Sequence, residues 1–134
     1  MMKKLLTTSL ALVVSLVLME AAADDIVKRN PSGETEINTT EISKNVRGYA
    51  GPVPLLITLE KGKIKNIRLL PNRETPRYLR RVQTSGLLQK WNGMKAADAE
   101  KAEVDAATGA TYTSRAVITN VRDAMKYVRK NKVK

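Results

Sequence analysis

The sequence predicts an α+β fold, with a small antiparallel sheet of three or more strands packed against a C-terminal amphipathic helix and a shorter helical region. Two observations carry this prediction. Alternating apolar residues stand on both sides of Lys61-Gly62, which is the pattern of a β-hairpin with a tight turn. Farther along, apolar residues recur at helical spacing, at Ala116, Val117, Val121, Ala124, Met125 and Val128. Because the sheet and the helix each have one apolar face, we expect these faces to be buried against each other.

The N-terminal half of the chain predicts the strands of this sheet. Residues 24–33 are polar and are expected to form a flexible lead-in. Weak alternation over residues 34–46 indicates a first strand, and the glycines and proline of residues 48–52 mark a turn or bulge. Residues 53–59 and 64–70 are then expected to be the two strands of the hairpin, with one apolar face formed by Leu55, Ile57 and Leu59.

The helical part of the chain is predicted in two pieces. An apolar stripe over residues 77–91 is interrupted by Ser85-Gly86, so two short helices are possible there. Trp91 and Met94 are expected to fill the core, since large apolar residues at helical spacing usually face inward. The C-terminal helix is expected to begin just after Thr111.

The N-terminus has the three parts of a secretory signal peptide. Two lysines precede an apolar run over residues 5–19, and the alanines of residues 21–23 form an A-x-A cleavage site. We therefore expect residues 1–23 to be removed and residues 34–134 to form one soluble domain, exported to the periplasm or another extracytoplasmic space. An uncleaved membrane anchor is the alternative, although the run is shorter than the roughly 20 residues that span a bilayer.

The composition narrows the chemistry that the chain can perform. It contains neither cysteine nor histidine, which removes most transition-metal sites, haem ligation, iron–sulfur clusters and histidine-based catalysis. No metal site is expected, and any redox chemistry needs an organic cofactor.

The charge of the chain is strongly positive, with a formal net charge of +11. With one tryptophan, four tyrosines and no nucleic-acid-binding motif, the chain is not expected to bind nucleic acid. The excess charge indicates either a solvated basic surface or a docking face for an acidic redox partner or an anionic membrane surface.

Residues 105–111, D-A-A-T-G-A-T, form the most informative motif of the chain. They resemble the flavinylation signature D-x-x-[S/T]-G-A-T of the FMN-binding domain family, which includes flavinylated subunits of the sodium-translocating quinone reductase and of the Rnf complexes, and many small exported proteins. The five fixed positions coincide by chance with a probability on the order of 10⁻³ or lower at average residue usage. The resemblance implies that Thr111 carries covalent FMN through a phosphoester bond, attached by a Mg-dependent flavin transferase.

The residues around Thr111 suit such an attachment. Gly109 and Ala110 are small and leave the hydroxyl accessible to another protein's active site, and the motif also contains Asp105 and Thr108. A helix that begins here offers free N–H groups and a positive dipole end to a phosphate.

Three residues that follow the motif complete the site predicted at the helix start. Thr111, Thr113 or Ser114 could each act as the N-cap of the helix. Tyr112 is expected either to stack on the flavin ring or to be a buried or turn tyrosine. The alternative for the whole segment is a small-residue turn that caps an amphipathic helix and binds nothing.

A second segment extends the resemblance, which covers roughly residues 45–130. The order of Gly-Tyr-x-Gly-Pro, a hairpin and Glu74-Thr75-Pro76 is similar to that of the family, in which an E-T-P-G segment lies near the flavin ring. Here Arg77 stands in place of the usual glycine. The resemblance implies that Glu74 and Thr75 contact the flavin, whereas the residues by themselves also indicate that Thr75-Pro76 starts a helix.

Together these observations predict an exported electron-transfer flavoprotein, which relays electrons from a membrane redox donor to an extracytoplasmic acceptor. A carrier is favoured over a stand-alone enzyme, since no side-chain acid–base machinery stands out. The alternatives are a cofactor-free basic module that binds an acidic partner or a polyanion, and a reductase that uses bound FMN on a small substrate.

Overall fold

The computed structural model describes residues 25–134. The predicted signal peptide and its cleavage site lie outside the described residues. Within the described part of the chain, no helix has both the length and the apolar character needed to cross a membrane.

The sheet has four antiparallel strands that follow one another in chain order. The strands are β1 Val27–Arg29, β2 Thr35–Asn38, β3 Leu55–Glu60 and β4 Lys63–Leu69. This arrangement confirms the predicted antiparallel sheet.

The N-terminal strands differ from the sequence prediction. The stretch expected to be a flexible lead-in contains β1, which pairs with β2 through the register Val27↔Ile37. A polar turn makes this pairing possible, because Asn30 Oδ1 accepts hydrogen bonds from the N–H groups of Ser32 and Glu34. The strand expected over residues 34–46 ends at Asn38, whose Oδ1 accepts the N–H of Thr40 and so turns the chain out of the sheet.

The hairpin between β3 and β4 is confirmed and has a local cause. Lys61 and Gly62 both have positive φ, 51° and 78°, as a two-residue type I′ turn requires. The turn fixes the register Glu60↔Lys63 and leaves one face of both strands buried. The buried side chains on this face are Leu55, Ile57, Leu59, Ile64 and Ile67.

The C-terminal helix and a 3₁₀ turn pack against the sheet, and the two other helices pack against the C-terminal helix. They are α1 Pro76–Thr84, a 3₁₀ turn Leu87–Gln89, α2 Ala96–Lys101 and α3 Thr111–Lys130. The predicted interruption at Ser85-Gly86 is present, and Gly86 has a φ of 81°. The sequence did not predict α2, because this six-residue helix buries only Ala99 and gives no apolar period.

The core lies between the sheet and α3, as the predicted α+β class requires. Trp91 is 1% exposed and fills the centre of the core, and Met94 packs against it half-buried, so the core interpretation of both is confirmed. Burying one large apolar side chain contributes about 1.5–3 kcal/mol, so these contacts dominate the stability of the domain.

A buried polar contact fixes α3 relative to the sheet. The hydroxyl of Thr39 donates to Asn120 Oδ1 at 2.7 Å and accepts the N–H of Leu55 at 2.8 Å. Asn120 in turn donates to the carbonyl oxygen of Ala116 in α3. Because all these groups are satisfied, the contact sets the position of α3 at little cost in desolvation.

Candidate functional site

A cavity of about 280 Å³ lies at the N-terminal end of α3. One wall is formed by residues 109–113, which end the D-A-A-T-G-A-T loop and begin the helix. Tyr49, from the loop before β3, and Tyr78, from α1, form the remainder of the lining.

Thr111 is the first residue of α3 and is exposed, as the sequence predicts. The N-cap is Ala110, and no side chain caps this end of the helix. The N–H groups of residues 111–113 therefore have no intrahelical acceptor and stand at the positive end of the helix dipole.

The prediction that Thr111, Thr113 or Ser114 is the N-cap is wrong, because two of these side chains are used elsewhere. Thr113 donates its hydroxyl hydrogen to Glu74, and Ser114 Oγ accepts the N–H of Ala107 at 3.0 Å. Both side chains are buried. They hold neighbouring segments against the helix and leave its end free for a ligand.

The loop of the motif reaches the helix through a left-handed glycine. Gly109 has a φ of +79°, and a Cβ there would lie 2.8 Å from Arg81 Nη1. Arg81 Nη1 also donates to the carbonyl oxygen of Thr108 at 3.4 Å. Asp105 and Thr108 are both exposed on this loop. The left-handed conformation favours glycine at position 109, whereas the exposed end of the Arg81 side chain is free to move away from a larger residue.

Glu74 is 4% exposed and joins three segments of the chain at the cavity. Its Oε1 accepts the N–H of Tyr49 at 2.7 Å and the hydroxyl of Thr113 at 2.8 Å, and its Oε2 accepts the N–H of Ala50 at 2.5 Å. The carboxylate therefore anchors the loop of Tyr49 to the start of α3.

The segment around Glu74 is itself shaped by local contacts. Asn72 Oδ1 accepts the N–H of Glu74 at 2.9 Å. Thr75 is the N-cap residue of α1 and Pro76 occupies its first turn, so the helix-start interpretation is confirmed. Arg77 is exposed in the first turn of α1, where arginine is a better helix former than glycine.

Three of the four tyrosines of the chain meet at the cavity. The ring centroids of Tyr49 and Tyr78 are 5.1 Å apart in an edge-to-face arrangement, and those of Tyr49 and Tyr112 are 6.4 Å apart. Tyr49 is 60% exposed and Tyr112 is 64% exposed, so the interpretation of Tyr112 as a buried tyrosine is wrong.

Sequence reasoning did not assign Tyr49 and Tyr78 to the site. It treated Tyr49 as part of a turn and did not single out Tyr78. Both residues are tyrosines in a chain with few aromatic residues, and this is the one feature of the sequence that could have assigned them to the site.

The fold and the cavity define a class of small α+β domains with an aromatic cavity at a free helix N-terminus. The profile of the FMN-binding domain family matches residues 48–126, which contain the loop of Tyr49, Glu74 and the whole D-A-A-T-G-A-T motif. This match spans more than half of the chain, and the protein belongs to the FMN-binding domain family. No curated protein gives a significant match to the chain.

The residues at the cavity fit FMN. The three free N–H groups of residues 111–113 suit its phosphate, and the exposed rings of Tyr49 and Tyr112 suit a planar aromatic ring system. The cavity is slightly smaller than the roughly 300–1,000 Å³ of pockets that enclose a ligand. A flavin held here would therefore remain partly open to solvent. Within residues 25–134 no group of three or more acidic, cysteine or histidine side chains is placed to hold a metal ion.

Proposed function

We propose that this protein is an exported electron-transfer flavoprotein that carries FMN covalently on Thr111 and passes electrons from a membrane donor to an extracytoplasmic acceptor. The observation that carries the proposal is the exposed Thr111 at the uncapped start of α3, beside an aromatic cavity. FMN supplies the redox chemistry, and the protein supplies its position and its electrostatic surroundings.

The surroundings of Thr111 suit modification by another enzyme. A threonine hydroxyl is a poor nucleophile, so a flavin transferase has to activate it. Thr111 Oγ1 then attacks the phosphorus on the FMN side of the pyrophosphate of FAD, with AMP as the leaving group and the hydroxyl proton passing to the transferase. Exposure of Thr111, together with the absence of side-chain bulk at Gly109, gives this enzyme access to the hydroxyl.

The chain's own groups favour a carrier over a stand-alone enzyme. Glu74 is the one ionisable side chain that is buried among the described residues, and all three of its hydrogen bonds hold other parts of the protein. It is therefore a structural anchor and is not free to move protons for a substrate.

Arg81 affects the electrostatic surroundings of the site. Its guanidinium lies against Gly109 at the wall of the cavity. A positive charge in this place stabilises the reduced, more negative form of the cofactor, so it raises the reduction potential.

Intact mass measurement tests the covalent attachment. The full chain is expressed with its signal peptide in a host that also makes a flavin transferase, and the denatured product is weighed. We expect a gain equal to FMN minus water, located by fragmentation of the tryptic peptide of residues 102–115 at Thr111. Thr111→Ala should lose the gain entirely, whereas Thr84→Ala is the control and should keep it, because it removes an exposed hydroxyl that lies outside the motif.

The contradicting result is a bare chain mass in a host whose transferase modifies another substrate, or a gain that Thr111→Ala retains. The same mass also tests export, since cleavage after Ala23 leaves a chain that begins at Asp24. A chain that keeps residues 1–23 would support the membrane-anchored alternative instead.

A further inference from the structure

Exposed arginines lie beside the residues that line the cavity. Arg81 contacts Gly109 and the carbonyl oxygen of Thr108, and the Arg77 guanidinium carbon lies 5.3 Å from the ring centroid of Tyr78. We call four residues the arginine rim, and they are Arg47, Arg77, Arg81 and Arg115.

The other two members of the rim lie at the loop of Tyr49 and on the helix of Thr111. Arg47 Nη2 donates to the carbonyl oxygen of Ala50, at the loop of Tyr49. Arg115 is exposed and follows Thr111 by four residues, so both lie on the same face of α3.

The charge of the arginine rim is not neutralised within the described part of the chain. The ion pairs found in residues 25–134 are Lys65–Glu34 and Arg129–Glu100, and neither involves the rim. Glu74 is buried behind the loop of Tyr49, and the exposed acid that lies nearest to Gly109 in the chain is Asp105. The four arginines of the rim therefore carry positive charge that no ion pair of the described residues neutralises.

The charged and aromatic residues at the cavity are of the types found in protein interfaces. Residues 66–89, which contribute Arg77 and Arg81 to the rim, contain five arginines and no lysine, although lysine is more common than arginine in the chain as a whole. Arginine forms paired hydrogen bonds with carboxylates and loses less hydration than lysine when it is covered. Tyr49 and Tyr112 are the exposed large hydrophobic side chains of the described residues, and both lie inside the rim. Tyrosine and arginine dominate the binding energy of protein interfaces.

We infer that the arginine rim and the tyrosines inside it form a docking face for an acidic protein, whose carboxylates pair with the rim while its redox centre faces the cavity. The inference rests on the proposed function in one respect, namely that the docked protein exchanges electrons with the flavin. Complementary charge raises the rate of encounter, and the apolar centre excludes water once the two proteins meet. Lysine would bind an anionic lipid surface equally well, so the presence of arginine favours a protein as the partner.

Charge reversal at matched positions tests the docking face. The rim variant is Arg77→Glu with Arg81→Glu, two exposed positions four residues apart on α1. The control variant is Lys126→Glu with Lys130→Glu, two exposed positions four residues apart on α3. Both variants change the net charge equally, and the control positions lie more than about 20 Å along the helix from Thr111.

The probe is a reduced acidic ferredoxin with a [2Fe–2S] cluster, and the flavinylated full chain is the acceptor. Stopped-flow absorbance gives the second-order rate of flavin reduction at several salt concentrations. We expect the rim variant to lower this rate at least tenfold at low salt and the control variant to lower it less than twofold. Because Arg81 also affects the potential of the flavin, the reduction potential of each variant is measured and the salt dependence of the rate is compared. A change of potential leaves this salt dependence unaltered, whereas loss of the docking face should reduce it in the rim variant and not in the control variant.

Two further measurements separate the possible failures. Calorimetric titration with the same ferredoxin measures docking without any need for flavin, so a chain that lacks FMN but still binds through the rim would refute only the proposed function. Equal rate losses in the two variants, or unchanged rates in both, would overturn the docking face. Rim-dependent sedimentation with phosphatidylglycerol vesicles and unchanged ferredoxin rates would also overturn it, in favour of a lipid surface. If the rim variant loses its far-UV circular dichroism, Arg77→Gln with Arg81→Gln takes its place and should lose at least threefold.

Discussion

Replacing Gly48 with alanine tests the anchor that Glu74 forms beneath the loop of Tyr49. A Cβ at position 48 would lie 2.0 Å from Glu74 Oε1 and 2.9 Å from Val53 Cγ2. Neither neighbour is free to move away cheaply, because Val53 is in the core and the carboxylate holds two segments of the site. Gly48→Ala should therefore destabilise the protein by displacing Glu74.

The structure sets the size of this effect. Oε1 has to retreat by more than about 1 Å to reach an ordinary carbon–oxygen contact of about 3.3 Å. Its hydrogen bonds from the Tyr49 N–H and the Thr113 hydroxyl, now 2.7 Å and 2.8 Å, would then exceed the usual limit of about 3.2 Å. A hydrogen bond to a charged group contributes about 1.5–3 kcal/mol, so losing both costs about 3–6 kcal/mol. Water that enters from the cavity offsets part of this cost, and we expect a loss of about 3 kcal/mol.

Urea unfolding measures this loss directly. Trp91 is the one tryptophan of the chain and is 1% exposed, so its fluorescence reports loss of the core. At an m-value of about 1–3 kcal/mol/M, the unfolding midpoint of Gly48→Ala should fall by about 1 M or more. Wild type and variants are compared at equal flavin content, because a bound cofactor adds stability of its own.

Gly51 provides a matched control in the same loop. A Cβ at this position meets nothing within 4 Å, and its φ is outside the left-handed region. Gly51→Ala should change the free energy of unfolding by less than about 0.5 kcal/mol. In a Glu74→Ala background, Gly48→Ala should cost less than it does alone, because the clashing carboxylate is gone. The reasoning is refuted if Gly48→Ala unfolds within about 0.5 kcal/mol of the wild type, or if the two glycine variants lose equal stability.

Two further substitutions test contacts away from the cavity. Thr39→Val keeps the shape of the side chain but leaves the Leu55 N–H and Asn120 Oδ1 without their partner. The free energy of unfolding should therefore fall by about 2–4 kcal/mol. A loss below about 0.5 kcal/mol would contradict the role of this contact. The hydrogen bond from Lys65 lowers the pKa of Glu34 below its ordinary value of 4.5, so the pair contributes stability above that pH, and the contribution is lost as pH falls through the lower pKa of the folded state. Glu34→Gln should therefore be slightly less stable than the wild type near neutral pH and equally stable in acid. Urea unfolding over a pH series measures this, and a difference in stability that persists in acid would have another cause.

The parts of the fold that the sequence predicted have local causes. The hairpin follows from two adjacent residues, Lys61 and Gly62, that adopt positive φ. The last helix follows from an apolar period that α3 buries along its length. By contrast, β1 has three residues and no pattern of its own, and it forms because β2 offers it an edge. Such a strand depends on the strand with which it pairs, so a short stretch of sequence does not predict it.

The candidate site likewise has one feature that the sequence predicted and another that it predicted wrongly. The position of Thr111 at the start of a helix was predicted from its neighbours and is present in the structure. The capping role expected of Thr113 was wrong, because its hydroxyl is bound to Glu74, which is 39 residues away in the chain. The local sequence shows that the Thr113 hydroxyl is able to bind the N–H groups at the helix start, but it does not show that a residue distant in the chain binds the hydroxyl instead.

The sequence by itself determined the fold class, the lack of cysteine and histidine side chains and a helix start next to Thr111. These properties depend on composition, on backbone dihedral preferences and on periods of a few residues. The tertiary structure decided that Glu74 lies beneath the loop of Tyr49, that three tyrosines meet at one cavity and that Arg81 lies against its wall. These contacts join segments that lie far apart in the chain, and they exist only because the register of the sheet and the packing of α3 bring those segments together.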